Sequence, residues 1–136
     1  MPSVSVVIPA LNEEEPIGAV VHELLATGVP REVVVVDNGS TDETAPRAKA
    51  AGARVVNEPN RGYGRACAAG VRAVSSDSDI VVFLDGDGSD CPEFIQQMIA
   101  PIVAGTHDFV IGSRARGKRE PLAGTGGWGA LERRDL

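Results

Sequence analysis

Short runs of β-branched and apolar residues alternate along the chain with longer stretches whose apolar positions recur every three or four residues. Residues 4–8 read as a strand. Residues 16–27 follow as a helix, with Pro16 in its first turn and Gly28 just past its end. Residues 33–36 are four consecutive valines, a pattern suited to a strand buried on both faces. Ser40 and Glu43 have capping-box spacing and would open a second helix that Gly52 closes. Residues 54–57 form a short strand, and residues 64–74 an Ala-rich helix. Residues 80–84 are an all-apolar strand, residues 92–103 a helix capped by Asp90 or Cys91, and residues 109–111 a fifth strand.

Alternating strand and helix imply parallel strands joined by right-handed helical crossovers, an α/β sandwich. In such sheets ligands bind beyond the carboxyl ends of the strands. The loops at those ends are rich in polar and charged residues: 9–15, 37–42, 57–62, 85–90 and 112–114.

Composition narrows the classes of function. A chain of 136 residues favours one domain. Thirteen Lys and Arg against nineteen Asp and Glu give a net charge of −6, which argues against a nucleic-acid-binding surface. The 43% hydrophobic share is that of a globular protein. Cys67 and Cys91 have neither CxxC spacing nor a His neighbour, so a disulfide framework or zinc site is not expected and a reducing compartment fits. No apolar run approaches the ~20 residues that span a bilayer, and the N-terminus lacks the features of a secretory signal.

The most informative loop holds Asp85 and Asp87, one residue apart at the end of an apolar strand. Two such carboxylates repel unless a cation lies between them, and Gly86 and Gly88 leave room for a phosphate. Mg²⁺ takes one or two carboxylates together with substrate phosphates, and Mn²⁺ accepts the same ligands. The pair therefore points to a metal–diphosphate site rather than a turn that merely caps the next helix. An EF-hand loop is excluded, because its sixth and twelfth positions would be Asp90 and Gln96. A haloacid-dehalogenase pattern would put its aspartates after the first strand. A Rossmann fingerprint fails because residues 62–67 carry only its first two glycines.

Other loop residues have two open readings. Asp37, with Asn38 and Gly39 behind it, could accept hydrogen bonds from a base or ribose, or start an Asx turn. Asp42 reads as an acid favouring a helix start. Asn12 and Glu13 lie nearest the first strand end, whereas Glu14 and Glu15 read as a solvated helix start. Arg61 and Arg65 flank a Gly-rich turn where a phosphate could sit, or are surface charge. His22 and His107 have no ligand-spaced neighbours.

Five segments in order, at residues 9–14, 36–42, 60–64, 84–88 and 111–114, resemble the motifs of a family-2 glycosyltransferase. The chain looks like the nucleotide-binding half of such an enzyme, over residues 3–121, and is similar to its dolichol- and polyprenyl-phosphate mannosyl- or glucosyltransferase branch. The resemblance implies a GT-A fold, a Rossmann-like αβα sandwich with a mostly parallel sheet. It implies an inverting transfer from a nucleotide-diphosphate sugar of the UDP-glucose or GDP-mannose class to a polyprenyl phosphate or saccharide, with Mg²⁺ or Mn²⁺. Pro9, Ala10 and Glu13 would line the base and ribose, with Asp37 contacting the base and Asn12, Asn38 and Gly39 in the same nucleotide-sugar site. Arg61 and Gly62 would pass near the ribose and diphosphate. Asp85 and Asp87, with Gly86 between them, match the Asp-x-Asp metal motif, Asp87 as the direct ligand and Asp85 reaching the ribose or the metal, and Arg114 would face the diphosphate or the acceptor's phosphate. Ser89 stands where relatives of this branch often carry Gln, a stronger ligand. No general base is identifiable. A cytoplasmic location follows, at the membrane face if a polyprenyl acceptor is used, with no nucleic-acid partner.

Residues 122–136 depart from the family pattern: Gly-rich, with the one Trp of the chain and no strand or helix period. The expectation is an irregular or disordered tail on a domain of residues 1–121, arising by truncation or a shifted reading frame. The fifth strand would then lack neighbours and leave an edge open to dimerisation. The alternative function is a non-catalytic nucleotide-sugar-binding fragment. A nucleotidyltransferase would need a Gly-rich basic loop at residues 10–13, which hold Ala, Leu, Asn and Glu.

Overall fold

The computed structural model describes residues 3–86, 109–113 and 127–132. Its elements run β1 (Val4–Ala10), α1 (Ile17–Ala26), β2 (Pro30–Asp37), α2 (Thr44–Ala50), β3 (Arg54–Asn57), α3 (Tyr63–Ala73), β4 (Ile80–Phe83), β5 (Phe109–Ser113) and β6 (Gly127–Glu132). They form one six-stranded sheet in the order β3-β2-β1-β4-β6-β5. The pairs β1–β2, β1–β4 and β2–β3 are parallel, while β6 is antiparallel to β4 and β5. This is the expected mostly parallel GT-A-like α/β architecture. The predicted helix at 92–103 lies outside the described residues.

Side-chain alternation explains why the strands read as unbroken apolar runs. Val4, Val6 and Ile8 of β1 join Val33 and Val35 of β2 in a core beneath α1 and α2. Val7, Val34, Val36 and Val81 point to the opposite face and pack under α3. Both faces of a parallel strand covered by helices need apolar residues at every position. Helix α1 contributes Ile17, Val20, Val21 and Leu24, the i, i+3, i+4, i+7 stripe of a one-sided helix.

The chain path reverses at β1, which lies between β2 and β4. Such a switch point opens a crevice beyond the strand carboxyl ends. The amino ends are instead closed by a polar network. Ser5 and Ser78 are buried and share a very short hydroxyl–hydroxyl contact. Ser5 Oγ and the Ser75 N–H both donate to Glu32 Oε2, at 2.6 and 2.7 Å. Arg54 pairs with Glu32 Oε1 at 3.8 Å and donates to the Ala73 carbonyl.

Two expectations need correction. The helix after β2 begins at Thr44, without a Ser40–Glu43 capping box. Ser40 is occupied elsewhere: its N–H donates to Asp37 Oδ1 and its hydroxyl accepts from the Asn12 N–H, each at 2.9 Å. Glu43 stands at the N-cap without a side-chain cap bond, and Asp42 before it accepts the Thr44 N–H at 3.0 Å. The tail is also not irregular throughout, because Gly127–Glu132 is a strand with a paired neighbour on each side. Glycine is a poor strand former, so the local pattern concealed a strand made by its partners. β5 therefore has β6 as a neighbour.

Gly70 of α3 faces β1 at close range. A Cβ there would overlap Val7 Cγ1 and stand 3.2 Å from Val36 Cγ2. Helix propensity alone favours Gly70→Ala by about 1 kcal/mol, but overpacking costs about 1–3 kcal/mol. Thermal unfolding should show net destabilisation, and a rise in Tm would refute this packing.

Burial raises the Glu32 pKa, but the bonds from Ser5 and Ser75 and the charges of Arg54 and Arg31 outweigh it, leaving it below the ordinary 4.5. A lowered native pKa adds stability above the unfolded value that is lost as pH falls through the native one. Glu32→Gln should therefore be destabilised near neutrality, with the gap to wild type shrinking below about pH 4.5. Urea unfolding across that range checks the sign.

Candidate functional site

A cavity of about 350 Å³ opens at the carboxyl ends of β1 and β4, beside the start of α3. It is lined by Pro9, Ala10, Leu11, Glu13, Asn38, Arg61, Gly62, Tyr63, Ala66, Asp85 and Gly86. Eight of the residues singled out in the sequence meet here, from four separate strand ends and the loops that follow them: Pro9, Ala10, Glu13, Asn38, Arg61, Gly62, Asp85 and Gly86. A larger groove of about 730 Å³ lies along α2 and β3, but Ala45, Pro46, Lys49, Gly52, Ala53, Arg54 and Val55 supply no carboxylate.

Gly86 shows how Asp85 is held. A Cβ on Gly86 would lie 3.1 Å from Ile8 Cγ2 and 3.2 Å from Ile17 Cδ1. Glycine lets the chain pass close over the end of the core at this point, where a larger residue would press on Ile8 and Ile17. Asp85 is thereby left half-buried at the cavity wall. Its charge is felt by Cys67, whose thiol is pushed up by burial and further by Asp85, against the opposing hydrogen bond with Tyr63. Burial and the neighbouring acid thus disfavour the thiolate form of Cys67.

Asn12, Asp37 and Gly39 do not line the cavity. They hold neighbouring loops together. Asn12 takes a positive φ of 53°, which Asn tolerates better than most residues. Its Oδ1 accepts the Thr41 N–H at 2.9 Å, tying the loop after β1 to the loop after β2. Asp37 forms the Asx turn with Ser40. The Gly39 carbonyl accepts from Arg61 Nη2 at 3.3 Å, which helps place the guanidinium at the cavity rim.

A second tie lies behind Glu13. Its N–H donates to Thr44 Oγ1 at 2.8 Å, and Thr44 Oγ1 donates to Asp42 Oδ1 at 2.5 Å. Partial burial raises the Asp42 pKa, but the Thr44 hydroxyl, the Thr44 N–H and the Glu14 N–H together hold it below the ordinary value. Asp42 is therefore a fixed anion at the start of α2.

Leu11 and Tyr63 line the cavity but were not singled out in the sequence. They are the exposed large hydrophobic side chains among the described residues, at 37% and 57%. Both lie inside the sequence motifs at 9–14 and 60–64, so adjacency to matched positions was the available signal. Asp87 and Arg114 lie outside the described residues. Among the described residues, no three His, Cys, Asp or Glu converge as a metal-binding group. Asp85 offers a hard oxygen donor at an open cavity, which suits Mg²⁺ or Mn²⁺ when ligand phosphates complete the shell. Among the described residues, no helix is long and apolar enough to cross a membrane.

Residues 5–132 match the family described as Glycosyl transferase family 2. An uncharacterized glycosyltransferase of Mycobacterium tuberculosis is 43% identical over 122 residues, covering 90% of this chain and 51% of the relative. A glucosyl-3-phosphoglycerate synthase of Mycolicibacterium smegmatis is 41% identical over 112 residues, covering 74% and 36%. The chain thus spans about a third to a half of these relatives. The crystal structure of the M. tuberculosis glucosyl-3-phosphoglycerate synthase with Mn²⁺, UDP and glucosyl-3-phosphoglycerate superposes with a TM-score of 0.81 at 30% identity, over 98% of this chain and 57% of that one. Its complex with Mg²⁺ and UDP gives 0.81 at 32% identity over the same shares. These characterised relatives are glucosyl-3-phosphoglycerate synthases, whereas the sequence motifs suggested the polyprenyl-phosphate branch. The cavity at the switch point, the ordered loop motifs that build it and the match over nearly the whole chain lead to one conclusion: this chain belongs to glycosyl transferase family 2.

Proposed function

We propose that the chain is the donor-binding part of a metal-dependent glycosyltransferase whose donor is a UDP-sugar of the UDP-glucose class. The observation that carries this reading is the meeting of Glu13, Arg61, Gly62, Asp85 and Gly86 around one cavity at the switch point. The similar synthase structures, which hold UDP with Mn²⁺ or Mg²⁺, supply the choice of base and metals. Both candidate acceptors, phosphoglyceric acid from these relatives and a polyprenyl phosphate from the motifs, carry a phosphate. We therefore assign the complete enzyme a phosphorylated acceptor.

Charge sets the division of labour. Breaking the sugar–phosphate bond leaves new negative charge on the nucleoside diphosphate. A divalent ion held by Asp85 and Asp87 would supply Lewis-acid stabilisation of that charge. Pro9 and Ala10 form the apolar floor at the end of β1, suited to the nucleoside, while Asp37 acts from behind the cavity by holding the loop after β2. Arg61 and the first-turn amides of α3 face the diphosphate, since helix N-termini favour anions. Arg114 is assigned to a phosphate of donor or acceptor.

The second reading, for the 136-residue chain taken by itself, is donor binding without transfer. Incubation with UDP-glucose, Mn²⁺ and either phosphoglyceric acid or polyprenyl phosphate separates the two. A glycosylated product establishes transfer, and donor binding without product establishes the second reading.

Thermal unfolding with UDP or GDP, each with and without Mn²⁺, tests the donor site. UDP with Mn²⁺ at about 100 times its Kd should add about 2.7 kcal/mol of stability. A cooperative melt with no shift would remove both readings, and a shift with GDP alone would correct the base. Asp85→Asn should fold yet lose at least about tenfold in Mn²⁺-dependent UDP affinity, because a metal ligand is lost. Unchanged Mn²⁺ dependence would take Asp85 out of the metal site.

A further inference from the structure

Asn38 has its whole side chain turned to the protein. It is buried, 7% exposed. Its Nδ2 donates to the carbonyls of Glu58 and Asn60, at 2.8 and 3.0 Å. Its Oδ1 accepts the Gly62 N–H at 3.0 Å. These three bonds fix the amide orientation, since the reverse would set oxygen against two carbonyls and NH₂ against an N–H. The Asn38 N–H donates to the Ala10 carbonyl at 2.9 Å. One residue thus joins the end of β1, the end of β2 and the loop from β3 to α3. That loop carries Arg61 and ends in Gly62, the residue before the first turn of α3.

We propose that Asn38 is a positioning residue for the diphosphate end of the donor, acting through Arg61 and Gly62 and not by touching the nucleotide. Both of its donors and its oxygen are engaged by backbone, so it has little left to offer a base. Its three bonds set where the Arg61 guanidinium and the start of α3 stand relative to Ala10. Losing them frees the Glu58 and Asn60 carbonyls and the Gly62 N–H from their one shared anchor and lets the exposed loop shift. The diphosphate would then meet misplaced donors, while the nucleoside floor at Pro9 and Ala10 stays in place. Asp would not substitute: it keeps an acceptor for Gly62 but sets oxygen against the Glu58 and Asn60 carbonyls. The inference rests on the reading that the cavity takes a nucleoside diphosphate.

The test compares uridine and UDP with Mn²⁺ on the 136-residue chain. Asn38→Ala should weaken UDP–Mn²⁺ binding about tenfold, the scale of one or two lost hydrogen bonds, with uridine affinity, followed by NMR, changed less than about twofold. Equal losses for both ligands would overturn the proposal in favour of direct nucleoside contact. A lowered Tm with both affinities intact would overturn it in favour of a purely structural role. Hydrogen exchange on the wild-type chain tests the same bond even if the variant does not fold. The Gly62 amide should exchange at least about tenfold more slowly than Gly64, because first-turn amides lack an intrahelical partner. Equal rates would overturn the proposal. Failure of the wild-type chain to bind UDP–Mn²⁺ would instead defeat the donor assignment, while the Gly62 rate still reports on Asn38.

Discussion

Burial of both faces of the parallel sheet is the constraint on which everything else depends. Val6 and Val7 are neighbours in sequence, yet each is fully buried, one beneath α1 and α2, the other beneath α3. A strand in that position has no polar edge of its own to offer a ligand. Polar chemistry is therefore driven to the ends of the strands, and the two ends are used differently. At the amino ends, Glu32 gathers Ser5, Ser75 and Arg54 into a closed network. At the carboxyl ends, the reversal of strand order at β1 keeps a space open.

Keeping that space open requires loops that hold their shape without a core beneath them. Besides bonds within each loop, the structure does this by bonding the loops to one another. Asn12 bridges to Thr41, Glu13 to Thr44, and Asn38 to Glu58, Asn60 and Gly62. Each bond joins residues at least twenty positions apart in sequence. The cavity walls are thus built from a polar lattice, and the charged groups facing inward, Glu13, Arg61 and Asp85, are mounted on it. This division explains why a region so rich in Asn, Asp, Ser and Thr contributes few of those side chains to the cavity lining itself.

Much of this was legible in the sequence, though not evenly. Residues 54–57 were read with the boundaries the structure shows, and the strands at 4–8, 33–36 and 80–84 within a few residues, because two-sided burial writes itself into consecutive Val and Ile. Asp85 was legible as an acid at a strand end, whereas Gly86, read as room for a phosphate, also packs closely over Ile8 and Ile17. Ser40 was misread as a helix cap because its spacing to Glu43 is right, while its actual partners, Asp37 and Asn12, are set by the meeting of two loops. Leu11 and Tyr63 carry no chemistry that marks them out, and their shared place at the rim comes only from the fold.

The sequence by itself determined which segments are strands and helices, which faces are buried and which loops collect the charge. Those properties follow from the period of apolar residues, which each segment carries alone. Tertiary structure alone decided that Gly127–Glu132 is a strand, since its backbone groups find partners on β4 and β5 rather than in any local pattern. It alone decided also that Asn38 turns to Gly62 while Asp85 borders the cavity. A polar side chain states what it can bond, but not which of several candidates folding will bring within 3 Å.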